Sequence, residues 1–169
     1  LSDRHATLAN QCAQLLEERY PDREYYVSTL AYGHSRPAPI EADPRENVIV
    51  CSVTGFWDFD APETGSPHGT THGEQFSGWA GVTENMVWRP NTGSPAGWRH
   101  GFPDVPLHGM MENFRFIAER NCIGIYIDSV WEHWATQGPL YYLMAQLAWD
   151  PSKDGDTILR CWQETAGCA

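Results

Sequence analysis

Acidic side chains that follow predicted strands are the residues of this chain best suited to chemistry. Asp128 ends an apolar run, Glu132 comes four residues later, and Asp58 follows an earlier run. Acid/base cleavage of a glycosidic bond uses two carboxyl groups, one protonated and one ionised. Glu132 lies between Trp131 and Trp134, whose rings can desolvate a carboxyl group and favour its protonated form. The sequence therefore predicts Glu132 or Asp128 as an acid and Asp58 as the second carboxylate.

Each of these acids also has an ordinary structural explanation, and both interpretations stay open at this point. Asp128 can cap a loop or form a salt bridge. Glu132 can be a solvated loop acid, which is a common state for a glutamate. If the catalytic carboxylates lie elsewhere in a longer protein, this chain would supply only a binding wall. Nucleophilic-serine and nucleotide chemistry are not indicated, because the chain has no Gly-x-Ser-x-Gly elbow and no phosphate-cradling glycine loop.

A metal site is a further alternative. Two aspartates and two histidines lie in the glycine- and proline-rich segment 54–73, namely Asp58, Asp60, His68 and His72. The two histidines would share one face only if that segment were helical. Pro67, Gly69 and Gly73 disfavour a helix there. The sequence therefore predicts no metal and no other cofactor.

Aromatic and basic side chains at the predicted strand ends suggest a ligand. The chain has eight tryptophans, and amphipathic rings at this edge can stack on the faces of a sugar or pack beneath long loops. Arginine and histidine in the same segments can bind sugar hydroxyls or the carboxylate of an acidic sugar, or anchor loops. An oligosaccharide or polysaccharide is therefore the expected partner. The predicted binding residues are Trp57, Trp88, Trp98, Trp131, Trp134, His34, Arg36, Arg89 and His100.

Four short apolar runs predict the strands that position these residues. They cover residues 25–31, 47–53, 85–88 and 122–128, and helical patterns follow the last three. Such an alternation predicts a parallel sheet with its chemistry at the carboxyl ends of the strands. A closed barrel takes eight such units and about 250 residues. We therefore expect an α/β fold with about four parallel strands of a partial (β/α)8 TIM barrel, plus C-terminal helices.

The helical patterns complete this architecture. A helix is predicted over residues 5–19, before the first strand, and prolines leave no room for a crossover helix between the first and second strands. Asp154 is expected to cap the last helix. We expect residues 1–137 to form half of a barrel and residues 138–169 a helical extension packed on it. The other predicted helices cover residues 74–82, 107–120 and the apolar stripe from 140 to 148.

Composition narrows the class of partner. The chain has 22 acidic and 11 basic side chains, for a net charge of −11, which disfavours binding to a phosphate backbone. None of its apolar runs approaches the roughly 20 residues needed to cross a bilayer. The five cysteines form no Cys-x-x-Cys pair, which argues against a zinc ribbon and leaves the compartment open.

Several short segments, taken in order, carry a resemblance. They are Asn47-Val48-Ile49-Val50-Cys51, Trp79, Phe102-Pro103, Gly124, and Leu147-Ala148-Trp149-Asp150-Pro151 ahead of Asp154. Together they resemble the bacterial family known as domain of unknown function 4838, whose barrel is similar to those of hexosaminidase-type and glucuronidase-type glycoside hydrolases. The resemblance implies that this chain is the second half of a barrel whose first half is missing. It also implies a protein that acts on or binds carbohydrate outside the cytoplasm.

Three hypotheses about function follow. The first is a carbohydrate-active protein of glycoside hydrolase type that works by carboxylate acid/base catalysis. The second is a barrel that binds glycans without cleaving them. The third is a truncated fragment without independent activity, which would expose two sheet edges and an apolar inner face and would tend to associate.

Overall fold

The computed structural model describes residues 1–55, 70–91, 107–128 and 134–166. Its centre is a four-stranded parallel sheet in which each strand lies beside the one before it along the chain. This arrangement is that of consecutive units of a β/α barrel. It confirms the predicted α/β fold with about four parallel strands. The strands are β1 (Val27–Ala31), β2 (Val48–Gly55), β3 (Met86–Asn91) and β4 (Cys122–Ile125).

Helices flank the sheet and follow it at the C-terminal side, as predicted. They are α1 (Ser2–Arg19), α2 (His72–Ala80), α3 (Leu107–Ala118), α4 (Trp134–Trp149) and α5 (Gly155–Ala166). Among these described helices, none has both the length and the apolar character needed to cross a membrane. Since α4 begins before residue 138, the division of the chain at residues 137 and 138 stays a prediction.

Helix α2 begins two residues earlier than the sequence predicted, because of a capping box. The Thr71 hydroxyl accepts a hydrogen bond from the backbone N–H of Glu74, at 3.0 Å. The Glu74 carboxylate in turn accepts one from the backbone N–H of Thr71, at 2.8 Å. Glu74 is therefore the third residue of the helix and closes its first turn.

The two faces of the sheet differ in what covers them. Side chains alternate between the faces along each strand. The buried strand residues that pack with helices α2 to α5 in the main core are Ala31, Val50, Met86 and Trp88. In the strand register, Val50 lies opposite Met86, and Ser52 lies between Ala31 and Trp88 on the neighbouring strands. Because register partners point to the same face, these four residues lie on one side of the sheet. We call this side the covered face and the other side the open face.

The open face is partly exposed. Leu30 on β1 is 43% exposed, and Tyr126, just beyond β4, is 58% exposed. In a doubly wound sheet helices cover both faces, whereas in a barrel they cover only the outside. Within the described residues, helices that cover a single face match the barrel arrangement, with the open face corresponding to the barrel interior.

Helix α1 takes over the role of the absent crossover helix between β1 and β2. The Asp3 carboxylate accepts hydrogen bonds from the backbone N–H groups of Ile40, Glu41 and Ala42, at 2.9, 2.6 and 3.2 Å. These contacts satisfy backbone groups that a helix would otherwise pair internally. The prediction that prolines prevent a helix in this connection is confirmed, since only one 3-10 turn (Gly33–Ser35) occurs there.

Candidate functional site

The candidate site lies at the carboxyl ends of β3 and β4, on the open face. Gly124 lies opposite Val87 in the register, and Asn91 pairs with Asp128 in an isolated bridge. Alternation therefore places Arg89 and Tyr126 on the same face as Asp128. We call the group Arg36, Arg89, Asn91, Tyr126 and Asp128 the rim. Catalytic residues of β/α barrels come from this edge of the sheet.

Arg89 and Asp128 form an ion pair at the rim. The Nη2 atom of Arg89 lies 2.8 Å from Oδ2 of Asp128, and their side chains are 25% and 28% exposed. The guanidinium carbon of Arg89 also lies 5.4 Å from the centre of the Tyr126 ring, in a cation–π contact. The carboxylate is thus held in place while part of its surface still faces solvent.

One donor of Arg89 remains unused. Its Nε atom is buried and has no hydrogen-bond partner among the residues that the structure describes. A buried donor without an acceptor is energetically unfavourable, and such groups mark places where a ligand or water belongs. Arg89 thus contacts Asp128 through Nη2, while its Nε atom is enclosed by protein.

A second arginine reaches the rim from the loop after β1. The Nε atom of Arg36 donates a hydrogen bond to the backbone oxygen of Val53, at 3.1 Å. Its guanidinium carbon lies 5.4 Å from the centre of the Tyr32 ring, and its backbone oxygen accepts a hydrogen bond from the Trp79 indole, at 2.7 Å. Burial lowers the pKa of Arg36, although a guanidinium stays charged in proteins at neutral pH.

His72 adjoins this arginine at the start of α2. Burial and, to a smaller extent, the charge of Arg36 lower the pKa of His72 below its usual 6.5. The imidazole is therefore neutral at pH 7. Its Nδ1 atom is buried, and no residue in the described part of the chain forms a hydrogen bond with it. The sequence had suggested His72 only as a metal ligand. Within the described residues, no group of three or more histidine, cysteine or acidic side chains could hold a metal ion.

A thiol also lies on the open face, two residues before Val53 on β2. Burial raises the pKa of the Cys51 thiol, and the positive charge of Arg89 offsets part of this increase. The thiol is therefore protonated at neutral pH and is a weak nucleophile. Cys51 acts as an apolar filler in the wall of the site, as expected for a cysteine within a strand.

Two of the predicted site residues, Asp128 and Arg89, are in contact at the rim. Arg36 lies at the same end of the sheet, where it donates a hydrogen bond to Val53. His34 lies in the 3-10 turn after β1 and is exposed. Sequence reasoning missed Tyr126 and Asn91. The signal for Tyr126 was available, because residues 124, 126 and 128 alternate onto one face.

Trp88 differs from the expectation that it lines a binding surface. Its side chain is 0% exposed and lies on the covered face. The indole donates a hydrogen bond to the Thr54 hydroxyl, at 2.6 Å, and the ring packs edge-on against Phe114. Trp88 is therefore part of the core and out of reach of a ligand.

The remaining predicted residues lie outside the part of the chain that the structure describes. Trp134 is the first residue of α4, but its side chain is outside that part. The others that fall there are Glu132, Asp58, Trp57, Trp98, Trp131, His100 and, from the metal alternative, Asp60 and His68.

Comparison with known proteins identifies a family. No curated protein and no solved structure matches the chain. The family model described as "Domain of unknown function (DUF4838)" matches residues 1–167, nearly the whole chain. The resemblance found in the sequence is thereby confirmed for the family, while the similarity of its barrel to those of glycoside hydrolases stays a prediction. This chain belongs to the DUF4838 family.

Proposed function

We propose that this protein is carbohydrate-active and of glycoside hydrolase type, with the rim forming part of its active site. The observation that carries the proposal is the Asp128 carboxylate, held 2.8 Å from Arg89 beside the exposed Tyr126 ring. A positioned carboxylate next to an accessible aromatic face suits a sugar that stacks on the ring while its glycosidic bond approaches the acid. The position at the carboxyl ends of parallel strands supports the same proposal.

The ion pair supports one role for Asp128. Its carboxylate oxygen accepts from Arg89 and is held in one orientation, which suits a nucleophile or a base better than the acid that the sequence also allowed. Glu132 remains our candidate for the acid that protonates the leaving oxygen, and Asp58 for a further carboxylate. The two working carboxyl groups should lie about 5 to 9.5 Å apart, with the shorter separations typical of retaining enzymes.

Tyr126 serves as the sugar platform in this proposal. It takes the place of Trp88, and it is supplemented by Trp57, Trp98, Trp131 and Trp134 in their predicted role. Arg36, His34 and His100 bind hydroxyl groups. The protein works outside the cytoplasm, as the resemblance implies.

The open face and the outer strands of the sheet support the proposal that a further half of the barrel belongs with this chain. In the described residues β1 pairs only with β2, and β4 only with β3, so both outer strands have a free edge. Four further β/α units would cover the open face and close the barrel. We infer that this chain works together with such an N-terminal half. A 169-residue chain that is monodisperse and unfolds cooperatively by itself would contradict this inference.

Substitution of Asp128 tests the catalytic role. We expect Asp128→Asn to lower kcat on a responsive aryl glycoside by about 10²- to 10⁴-fold, the usual contribution of a positioned acid or base, and Glu132→Gln to do the same. The matched control is Glu17→Gln, because Glu17 forms an ion pair with Arg45 at the opposite edge of the sheet. Equal activity of Asp128→Asn and Glu17→Gln would contradict the proposal.

A non-catalytic glycan-binding barrel is the second candidate function. It is favoured by one observation, namely that Asp128 is the only acidic side chain among the open-face residues that the structure describes. Quenching of tyrosine and tryptophan fluorescence by sugars, without turnover on a panel of glycosides, would support this second function. Quenching together with turnover would support the first.

A further inference from the structure

We propose that helix α1 carries the docking surface for a preceding strand-and-helix unit. The strand of that unit adds to the free edge of β1, and its helix lies along an exposed row of leucines on α1. The inference rests on the N-terminal half that accompanies the proposed function. It adds where that half attaches and what its adjoining helix looks like.

Three exposed leucines form a row along α1. Leu1, Leu8 and Leu15 are 60%, 62% and 63% exposed. A spacing of seven residues returns to nearly the same side of an α-helix, because seven residues make almost two turns. Cys12, which is also exposed, lies on this side between Leu8 and Leu15. We call these four residues the leucine stripe.

The side of α1 that faces the sheet consists of small residues instead. Ala9 and Ala13 are buried and pack with Val48 of β2 and Val27 of β1. In an amphipathic helix the large apolar side chains usually face the core. The leucine stripe, which the sheet does not cover, therefore has the composition of an interface.

A third side of α1 faces β2 and is polar. The Asn10 side chain donates to the backbone oxygen of Asp43 and accepts from the backbone N–H of Arg45, both at 2.9 Å. One turn pair later, Glu17 accepts a hydrogen bond from the side chain of Asn47, just before β2, at 2.9 Å. At about 100° per residue, this polar side lies about 180° around the helix from the leucine stripe. The stripe therefore points away from β2.

The free edge of β1 lies on the same side of the molecule as the stripe. One edge of β1 pairs with β2, and within the described residues no strand pairs with the other edge. Val27 donates its backbone N–H to Asn47 on the β2 side, at 2.9 Å. Alternation along the strand therefore directs the N–H groups of Ser28 and Leu30 to the free edge. A strand-and-helix unit would pair these donors and cover the stripe, whereas a helix alone would cover only the stripe.

The direction of α1 sets the direction of the docked helix. Ser2, at the start of α1, donates to the backbone oxygen of Ser35, beyond the end of β1, at 3.3 Å. The other end of α1 contacts the start of β2 through Glu17 and Asn47. Helix α1 thus runs antiparallel to the strands, like the helices of the outer ring of a β/α barrel. Its neighbour in that ring runs parallel to it.

Two charges beside the stripe define the partner further. Arg4 lies next to the stripe in the first turns of α1, and Glu18 lies next to it in the last turn, both exposed. A parallel helix matches this side when it carries an apolar row, an acid near its start and a base near its end. A second copy of α1 in parallel orientation would instead place Arg4 beside Arg4 and Glu18 beside Glu18.

The experiment compares the accessibility of two exposed thiols, Cys12 in the stripe and Cys161 on α5. Mass spectrometry follows their alkylation by iodoacetamide in the 169-residue chain and in the longer protein that includes the polypeptide encoded directly before it. We expect Cys12 to react at least about tenfold more slowly in the longer protein, because thiol reactivity depends on access. Cys161 should react equally in both. Amide exchange of Ser28 and Leu30 should slow in parallel with Cys12.

Two lysine substitutions test the stripe itself. In the longer protein, Leu8→Lys should speed Cys12 labelling by about tenfold, since a charge at the centre of an apolar interface opposes docking. Ile40→Lys is the matched control, because Ile40 is 93% exposed and lies in the connection on the polar side of α1. In the 169-residue chain both variants should keep the parent's unfolding midpoint. If the Leu8→Lys longer protein does not fold, Leu8→Ala carries the test with a smaller increase in labelling.

The outcomes separate this inference from the proposed function. Equal labelling of Cys12 in the two proteins, or a gene that encodes no strand-and-helix unit before Leu1, would overturn the inference. Protection of Cys12 in the 169-residue chain that disappears on dilution would assign the stripe to a second copy and also overturn it. Glycoside turnover by a longer protein with unprotected Cys12 would contradict the inference alone. Protection without turnover or sugar binding would contradict the proposed function alone.

Discussion

The covered and open faces of the sheet are built by the same four strands, yet they have opposite properties. On β3, Trp88 points to the covered face and has no exposed surface, while Arg89, the next residue, points to the open face and keeps a quarter of its side chain exposed. Period-two alternation alone makes this difference. One short strand therefore provides core side chains and candidate site residues at alternate positions.

Hydrogen bonding differs between the faces as well. On the covered face, the indole of Trp88 donates to the Thr54 hydroxyl within the buried core. On the open face, Arg89 and Asp128 pair at a partly exposed edge. Buried polar groups require their partners for stability, whereas a partly exposed pair can exchange a partner for a ligand. The open face is therefore the one suited to binding.

Truncation of one aromatic residue on each face is the strongest test of this comparison. We expect Trp88→Ala to lower the free energy of unfolding by about 3 to 5 kcal/mol, because it leaves a cavity and removes buried apolar surface. Tyr126→Ala should lower it by less than about 1 kcal/mol, because more than half of that side chain is exposed. Urea unfolding measures both values. Similar losses for the two variants would show that the open face is also packed.

Removal of one hydrogen-bond partner on each face gives a smaller effect and sharpens the contrast. Thr54→Val removes the hydroxyl that accepts a hydrogen bond from the Trp88 indole and should reduce the free energy of unfolding by about 1 to 3 kcal/mol. Asp128→Asn should reduce it by no more than about 1 kcal/mol, as is usual for a partly exposed ion pair. A larger loss for Asp128→Asn than for Thr54→Val would contradict the proposed division between stability and binding.

The smallest expected effect is the pH response of His72 near the rim. Its folded-state pKa lies below 6.5, so the unfolded state binds a proton first as the pH falls. The contribution of neutral His72 to stability is therefore fully present above pH 6.5 and is lost as the pH decreases toward the folded-state value. Arg36→Gln should raise this pKa, and His72→Gln should flatten the pH dependence of stability between pH 5 and 7. NMR titration of the imidazole and urea unfolding provide the measurements, and an unchanged His72 titration in Arg36→Gln would show that the two groups are not coupled.

Much of the fold was predictable from local signals. All four strands and the flanking helices occur where apolar periodicity indicated them. The Asp154 cap is confirmed, because its carboxylate accepts a hydrogen bond from the backbone N–H of Thr157, at 3.0 Å. The prediction was wrong at strand ends: β3 continues to Asn91 and β4 ends at Ile125. Pro90 did not end β3, because its carbonyl still accepts a hydrogen bond from the Asp128 N–H across the sheet, at 3.2 Å.

The candidate site was predictable only in part. Asp128, Arg89 and Arg36 were identified because each follows a strand. Their pairing was not, since no local pattern relates residues on different strands. Trp88 was misplaced for the same reason, because a tryptophan near a strand end can face either side and only the neighbouring helices distinguish the sides.

The sequence by itself determined the parallel β/α order, the family and the set of groups able to do chemistry, because periodicity, caps and turn residues act over a few positions. Only the tertiary structure decided which face the helices cover, that Trp88 lies in the core, and that Arg89 meets Asp128 and Tyr126. These outcomes depend on strand register and on contacts between residues far apart in the chain, and the packing of the whole sheet against its helices sets them together.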